Sequence, residues 1–201
     1  MPKLVDLNSQ KQMIADAAIR LIEKGGVENV RLRDVARAGK VTVGTVTHHF
    51  DSKDAVLAAA LAEVVRRTLA RVDMPFKAGK ANDITAYVRR VCGYLPIDDE
   101  SRGEWRIWLA FWGRAVTDDQ LRLMNRDYFD AFVERIAERL QTLQGAPQDP
   151  ELARDTADAL VAAIDGIATR ATLNPETWPA KRQVAALTAL LRPLLESYCG
   201  K

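Results

Sequence analysis

Residues 32–53 read LRDVARAGKVTVGTVTHHFDSK, and this stretch decides the fold. It reads as two short helices joined by a tight turn at Ala38-Gly39. The second helix is built from small, polar and hydrogen-bonding side chains, too poor in large apolar residues to be a core element. Thr42, Val43, Gly44, Thr45, Thr47 and His48 form its expected open face. Such residue types reach phosphates and base edges without steric conflict. Helix-turn-helix geometry accounts for this composition, because the second helix enters the major groove while the first braces it across the backbone. The stretch therefore implies binding to double-stranded DNA.

Outward from it, nearly everything reads as helix. Upstream, residues 9–24 carry Met13, Ile14, Ala17, Ala18, Leu21 and Ile22 at three-and-four spacing, with Gly25-Gly26 as the stop. Downstream, Ser52 is placed to cap a helix running through Leu57, Leu61, Val64, Val65 and Leu69 to Asp73, before Pro75. Residues 74–81 read as a loop, and Asn82 or Asp83 as the start of a fifth helix ending before Pro96. A polar connection is expected over residues 98–103, then a short aromatic helix with Trp105, Trp108, Phe111 and Trp112. Thr117 and Gln120 form a capping-box pattern for a long helix to residue 144. Asp149-Pro150 opens a helix to Leu173, and Trp178-Pro179 leads into the last one, to Tyr198. Pro193 should kink that helix or end it early. The expectation is an all-α chain of about nine helices. Three form a DNA-binding module over residues 1–51, and six form a ligand-binding and dimerisation body over residues 52–201.

Composition agrees with this reading. The chain has 201 residues, 48% of them hydrophobic, and a net charge of +2, so it can bury a core and is no polycation. Nine basic and six acidic residues fall within residues 1–53, which leaves the remainder slightly acidic. Localised DNA contact fits that distribution better than nonspecific coating. No segment has the roughly 18 uninterrupted apolar residues of a membrane span, and residues 1–10 lack the apolar core of a signal peptide. A cytoplasmic protein is expected. Cys92 and Cys199 have neither metal-site nor CxxC spacing and read as thiols of a reducing compartment. His48 and His49 are adjacent on one helix and there is no third histidine, so neither a metal nor another cofactor is expected. Nothing in the pattern calls for catalysis.

Val35-Ala36, the turn at Ala38-Gly39, Val41-Thr42, Gly44-Thr45, His48-His49-Phe50 and Ser52-Lys53 resemble the DNA-binding segment of TetR-family repressors. The departures are Arg31 in place of a capping Thr, a turn glycine one residue early with Lys40 in its usual place, and Thr47 and His49 at two aromatic positions. The resemblance implies operator contact by Arg31, Arg33, Thr42, Val43, Gly44, Thr45, Thr47, His48 and Lys53. It also implies a homodimer released from a palindromic operator by a small-molecule effector. The family's tyrosine-to-phosphate contacts do not carry over to Thr47 or His49 unaltered.

Two features bear on the body. In the last helix Val184, Leu187, Leu191, Leu194 and Tyr198 are joined by Leu190 and Leu195, an apolar face wide enough to serve both its own body and a second copy. With the preceding helix this makes Ile164, Gly166, Ile167, Leu187, Leu191 and Leu194 the expected dimer interface. Trp105, Trp108 and Trp112 form an indole stripe that is either core or, with Leu61, Val65 and Phe129, the wall of an effector pocket. Indole faces attract cations. Residues 108–112, WLAFW, and 163–167, AIDGI, resemble the choline-responsive BetI branch of the TetR family. That resemblance implies a quaternary ammonium effector. Asp165 reads either as a counter-charge for it or as a solvated or interface carboxylate. The competing readings are a helical small-molecule-binding or interaction protein with a degenerate helix-turn-helix, and a transcriptional activator.

Overall fold

The computed structural model describes residues 7–26, 30–73 and 83–200. Among these residues the regular structure is helical throughout: α1 (Leu7–Gly25), α2 (Leu32–Ala38), α3 (Val43–His49), α4 (Lys53–Asp73), α5 (Ile84–Val91), α6 (Asp99–Ala115), α7 (Asp119–Leu140), α8 (Pro150–Leu173) and α9 (Ala180–Tyr198). A 3-10 turn, Cys92–Tyr94, extends α5. The loop expected over residues 74–81 and the alternative start at Asn82 lie outside the described residues.

The chain divides into two compact units. The first comprises Met1–Arg67 and Gly103–Leu123, the second Thr68–Arg102 and Met124–Lys201. The boundary expected after residue 51 therefore falls inside the first unit. The physical reason is a set of ties that draw α4 and α6 into the N-terminal helices. Arg67 bridges Glu63 of α4 and Asp16 of α1, at 2.8 Å to each. Arg114 of α6 pairs with Asp54 of α4, and Arg106 of α6 donates to the Glu23 carbonyl of α1. Ile14, Ala17, Ala18 and Ile22 of α1 and Leu57, Leu61 and Val64 of α4 are all buried. Each large apolar side chain removed from water contributes roughly 1.5–3 kcal/mol. Met13, expected in the α1 stripe, is 39% exposed instead. Gly26 ends α1 at φ +72°, a left-handed position where glycine carries no Cβ penalty.

In the second unit α8 packs on α9, and α5 on α9. Asp149 caps α8 by accepting from the amides of Glu151 and Leu152, and Asp83 caps α5 through the Thr85 amide. Arg154 of α8 reaches Asp130 and Glu134 of α7.

Three local expectations are corrected, and of the two outcomes expected at Pro193 one, an early end, does not occur. The polar residues 99–103 are not a connection but the first turns of α6. Asp98 and Ser101 cap it reciprocally, the Asp98 carboxylate taking the Ser101 amide at 2.8 Å and the Ser101 hydroxyl taking the Asp98 amide at 3.1 Å. At α7 the cap is Asp118, which accepts from the amides of Gln120 and Leu121, while the Thr117 hydroxyl donates back to the Arg114 carbonyl. That helix stops at Leu140 rather than at residue 144. Pro193 does not end α9, which continues to Tyr198. Leu187, Leu191 and Leu195 are fully buried on either side of it, and their packing outweighs the roughly 3 kcal/mol that an internal proline costs.

Candidate nucleic-acid interface and regulatory body

Within the first unit, α1 packs on α2 and α2 on α3. Val46, fully buried, and Phe50, 7% exposed, anchor α3 from below. With the helix pinned on that side, Thr42, Val43, Gly44, Thr47 and His48 face solvent, and Thr45 is half-buried. The Thr42 hydroxyl caps α3 by accepting from the Thr45 amide at 3.0 Å, and the two hydroxyls share a hydrogen bond of 2.9 Å. Thr47 turns its hydroxyl back onto the carbonyls of Val43 and Gly44, at 3.2 Å each. Val43 is 47% exposed, an apolar surface of the kind that meets a thymine methyl. His49 is turned away from this face, with Nε2 3.0 Å from Gln10 Oε1. Burial, His48 and Lys11 together lower its pKa.

Arg31 and Arg33 are exposed at the start of α2. Arg31 occupies the N-cap position without a side-chain cap bond, as expected when arginine replaces threonine. Lys53 begins α4 beside Ser52, whose hydroxyl accepts from the Ala55 amide at 3.0 Å. Two more exposed cations lie in α2 and the turn after it, and neither was assigned to DNA contact from the sequence. Arg37 lies 3.6 Å from Asp34, and Lys40 sits in the turn at φ 54°. The density of basic residues over 31–40 was the available signal.

The indole stripe lies in the first unit, and its rings touch one another. Trp105 and Trp112 meet edge to face at 5.8 Å, and Trp108 and Trp112 lie 5.7 Å apart. Trp105, Leu61 and Val65 are buried, whereas Trp108 and Trp112 are half-buried. Phe129, half-buried, belongs to the second unit. Asp165 is pushed up to about 7 by burial, so near neutral pH it is part-ionised, and a cation beside it would favour the charged form.

The expected dimer residues divide. Ile164, Ile167, Leu187 and Leu191 are buried inside the second unit and serve its own core. Gly166 is exposed and Leu194 half-buried. The outward face of α8 and α9 instead presents Ala159, Ala162, Gly166 and Leu173, with Ala189, Leu190 and Pro193.

Residues 14–60 match the model of bacterial regulatory proteins of the tetR family, and residues 84–196 match the BetI-type transcriptional repressor C-terminal model. The chain belongs to the TetR family. The first match contains the whole of α2 and α3, and the second, more than half the chain, carries the BetI-type assignment. HTH-type transcriptional regulator BetI of Burkholderia mallei is 30% identical over 179 residues, 88% of each chain. Its namesake from Paraburkholderia phytofirmans is 26% identical over 90% of this chain and 91% of that one. Among solved structures, a transcriptional regulator from Rhodococcus sp. Rha1 superposes with a TM-score of 0.78 at 27% identity, over 93% of this chain and 96% of that one. A regulator from Saccharomonospora viridis in complex with choline gives 0.75 at 25% identity, over 92% and 96%. This TetR-family protein is thus a DNA-binding transcriptional regulator of the BetI type, a family that is not one of enzymes. Among the described residues, no helix is long and apolar enough to cross a membrane.

Proposed function

We propose that this chain is a cytoplasmic, homodimeric repressor that holds a palindromic operator through α3 and releases it when a small-molecule effector binds the body. The carrying observation is the division of α3 by Val46 into a buried side and an exposed side, with Thr42, Val43, Gly44, Thr47 and His48 on the latter. Arg31, Arg33, Thr45 and Lys53 flank that face, so the DNA-reading residues fall within the first 53. A second copy is assigned to the outward face of α8 and α9. Gly166 supports this: an added Cβ there would meet nothing within 4 Å, so nothing in its own protomer calls for a helical glycine costing about 1 kcal/mol. Close approach of a partner helix does.

For the effector, a quaternary ammonium compound is the first class to try. The choline complex of the Saccharomonospora relative supports it, and the half-buried indoles of Trp108 and Trp112 are the faces that would receive it. Selection of binding sites from random duplex DNA tests the core of the proposal. Twofold symmetry requires selected sites with dyad symmetry and half-sites about one helical turn apart, or a multiple of that. Sites without a dyad, or equal binding to all duplexes, would overturn it.

A further inference from the structure

The second unit contains a cleft whose chemistry differs from that of the indole stripe. It is lined by Val72, Tyr87, Arg90, Val91, Tyr94, Ile136 and Arg139, with about 10 Å³ of space, enough for a single water-sized group. Val72 comes from the last turns of α4, Tyr87, Arg90 and Val91 from α5, and Ile136 and Arg139 from α7. Tyr87 is 2% exposed and Tyr94 8% exposed, and Tyr94 is braced edge-on by Phe132 at 5.6 Å.

The charge around this cleft is one-sided. Arg90, Arg71 and Arg139 all act on the Tyr94 hydroxyl, against one carboxylate, Asp73. Asp73 is itself paired with Arg135, and its carbonyl takes Arg139 at 3.0 Å. Asp98 also feels Arg71, but it is engaged in capping α6 with Ser101. No carboxylate lines the cleft. Burial pushes the Tyr94 phenol up to about 12 and raises Tyr87 further. Both hydroxyls therefore stay protonated and act as donors at any physiological pH.

We propose that this cleft is an oxyanion-binding site, taking a carboxylate or phosphate group between the Tyr87 and Tyr94 hydroxyls and the Arg90 and Arg139 guanidinium groups. Guanidinium pairs with planar carboxylates and with phosphates through parallel hydrogen bonds, and the phenols supply two neutral donors. A quaternary ammonium ion has no donor or acceptor to offer here and is repelled by the arginines. Since the present space holds one water-sized group, a single oxygen of the anion fills it and the rest of the ligand lies at the mouth of the cleft.

The test uses the full-length protein, titrated by calorimetry and thermal shift with sodium benzoate, sodium phosphate and choline chloride at constant ionic strength. Benzoate and phosphate separate the planar from the tetrahedral source of the same chemistry. At least one should bind saturably below about 10 mM. Arg90→Gln should weaken that binding about tenfold or more through loss of a charge-assisted hydrogen bond. Tyr87→Phe, which keeps the packing, should weaken it severalfold and remains informative if the arginine variant does not fold. The proposal is overturned if neither anion binds saturably, if choline chloride raises the melting temperature as much as they do, or if both variants bind the anion as the parent does. Operator affinity of the anion-free protein is measured separately, so its failure would count against the repressor reading and not against this site.

Discussion

The recognition segment and the α8–α9 pair are both helical, yet they relate to their sequences in opposite ways. In α3 only Val46 is buried among seven residues, and apart from Val43 the outward positions are glycine or polar. Burial and function are therefore written in different residue types, and one helix tells which side is which. In α8 and α9 the inward face is apolar, and apolar residues also stand outward among the charged ones. Ile164, Ile167, Leu187 and Leu191 turn inward, while Ala162, Gly166 and Leu190 turn outward. A periodicity that marks a face as apolar does not say which neighbour covers it. Local chemistry is legible where polarity changes around a helix, and becomes ambiguous where it does not.

The largest test of this contrast lies at a carboxylate that the first unit buries among arginines. Glu63 is 5% exposed, and Arg66 reaches both its oxygens at 2.8 Å while Arg67 reaches one. The Arg66 hydrogen bonds hold its carboxyl down at about 2, against burial and with help from Arg67 and Gln12. A folded pKa below the ordinary value near 4.5 gives stability that is complete above 4.5 and lost as pH falls towards 2. The shift corresponds to about 2–3 kcal/mol, taken at the lower end because Arg66 is largely solvated. Glu63→Gln should lose about that much in urea unfolding at pH 7 and show a flatter acid limb. A variant within 1 kcal/mol of the parent, with the same acid limb, would make these pairs surface ornament.

Much of the fold was legible because its signals were local. Asp149-Pro150, Ser52 and the Gly25-Gly26 stop each placed a helix end within a residue or two. Asp98 and Asp118 were missed because a Thr-x-x-Gln pattern and a polar run offered stronger-looking alternatives, and only the amides decide which oxygen caps. Of the expected effector residues, Leu61, Val65 and Trp105 are buried, since an indole stripe at helical spacing has the same pattern in a core as in a pocket wall. The tyrosine–arginine cleft gave no sequence signal at all. Its residues come from three helices separated by up to 67 positions.

A smaller effect should come from the α3 cap. Thr42→Ala removes the oxygen that accepts the Thr45 amide, a loss of about 1 kcal/mol. Because Thr42 stands on the exposed side, the same change should also weaken operator binding by more than the fold destabilisation explains. Equal loss of affinity in Thr42→Ala and in a matched core variant such as Val46→Ala would reduce Thr42 to a cap alone. Denaturation curves and operator titrations on both variants give the comparison.

The smallest effect concerns the turn between α2 and α3, where the resemblance to the family and the structure meet. The glycine stands one residue early, and the left-handed position falls on Lys40 at φ 54° while Gly39 sits at φ −82°. Gly39 has its own reason to lack a side chain, because a Cβ there would lie 3.2 Å from the Val35 carbonyl oxygen and 3.6 Å from the Ala17 methyl. The turn therefore needs glycine for space at one position and left-handed freedom at the next, and has glycine only at the first. An L-residue in the left-handed region costs about 1–2 kcal/mol, offset by the lower unfolded-state entropy of lysine relative to glycine, about 0.4–1 kcal/mol. Lys40→Gly should therefore raise stability by about 0.5–1 kcal/mol. It should also lower the salt slope of operator binding by no more than one unit, as expected for loss of a single cation. A loss of stability in Lys40→Gly would mean that the turn does not hold residue 40 in the left-handed region, and the shifted glycine would then signify a different turn rather than a strained one.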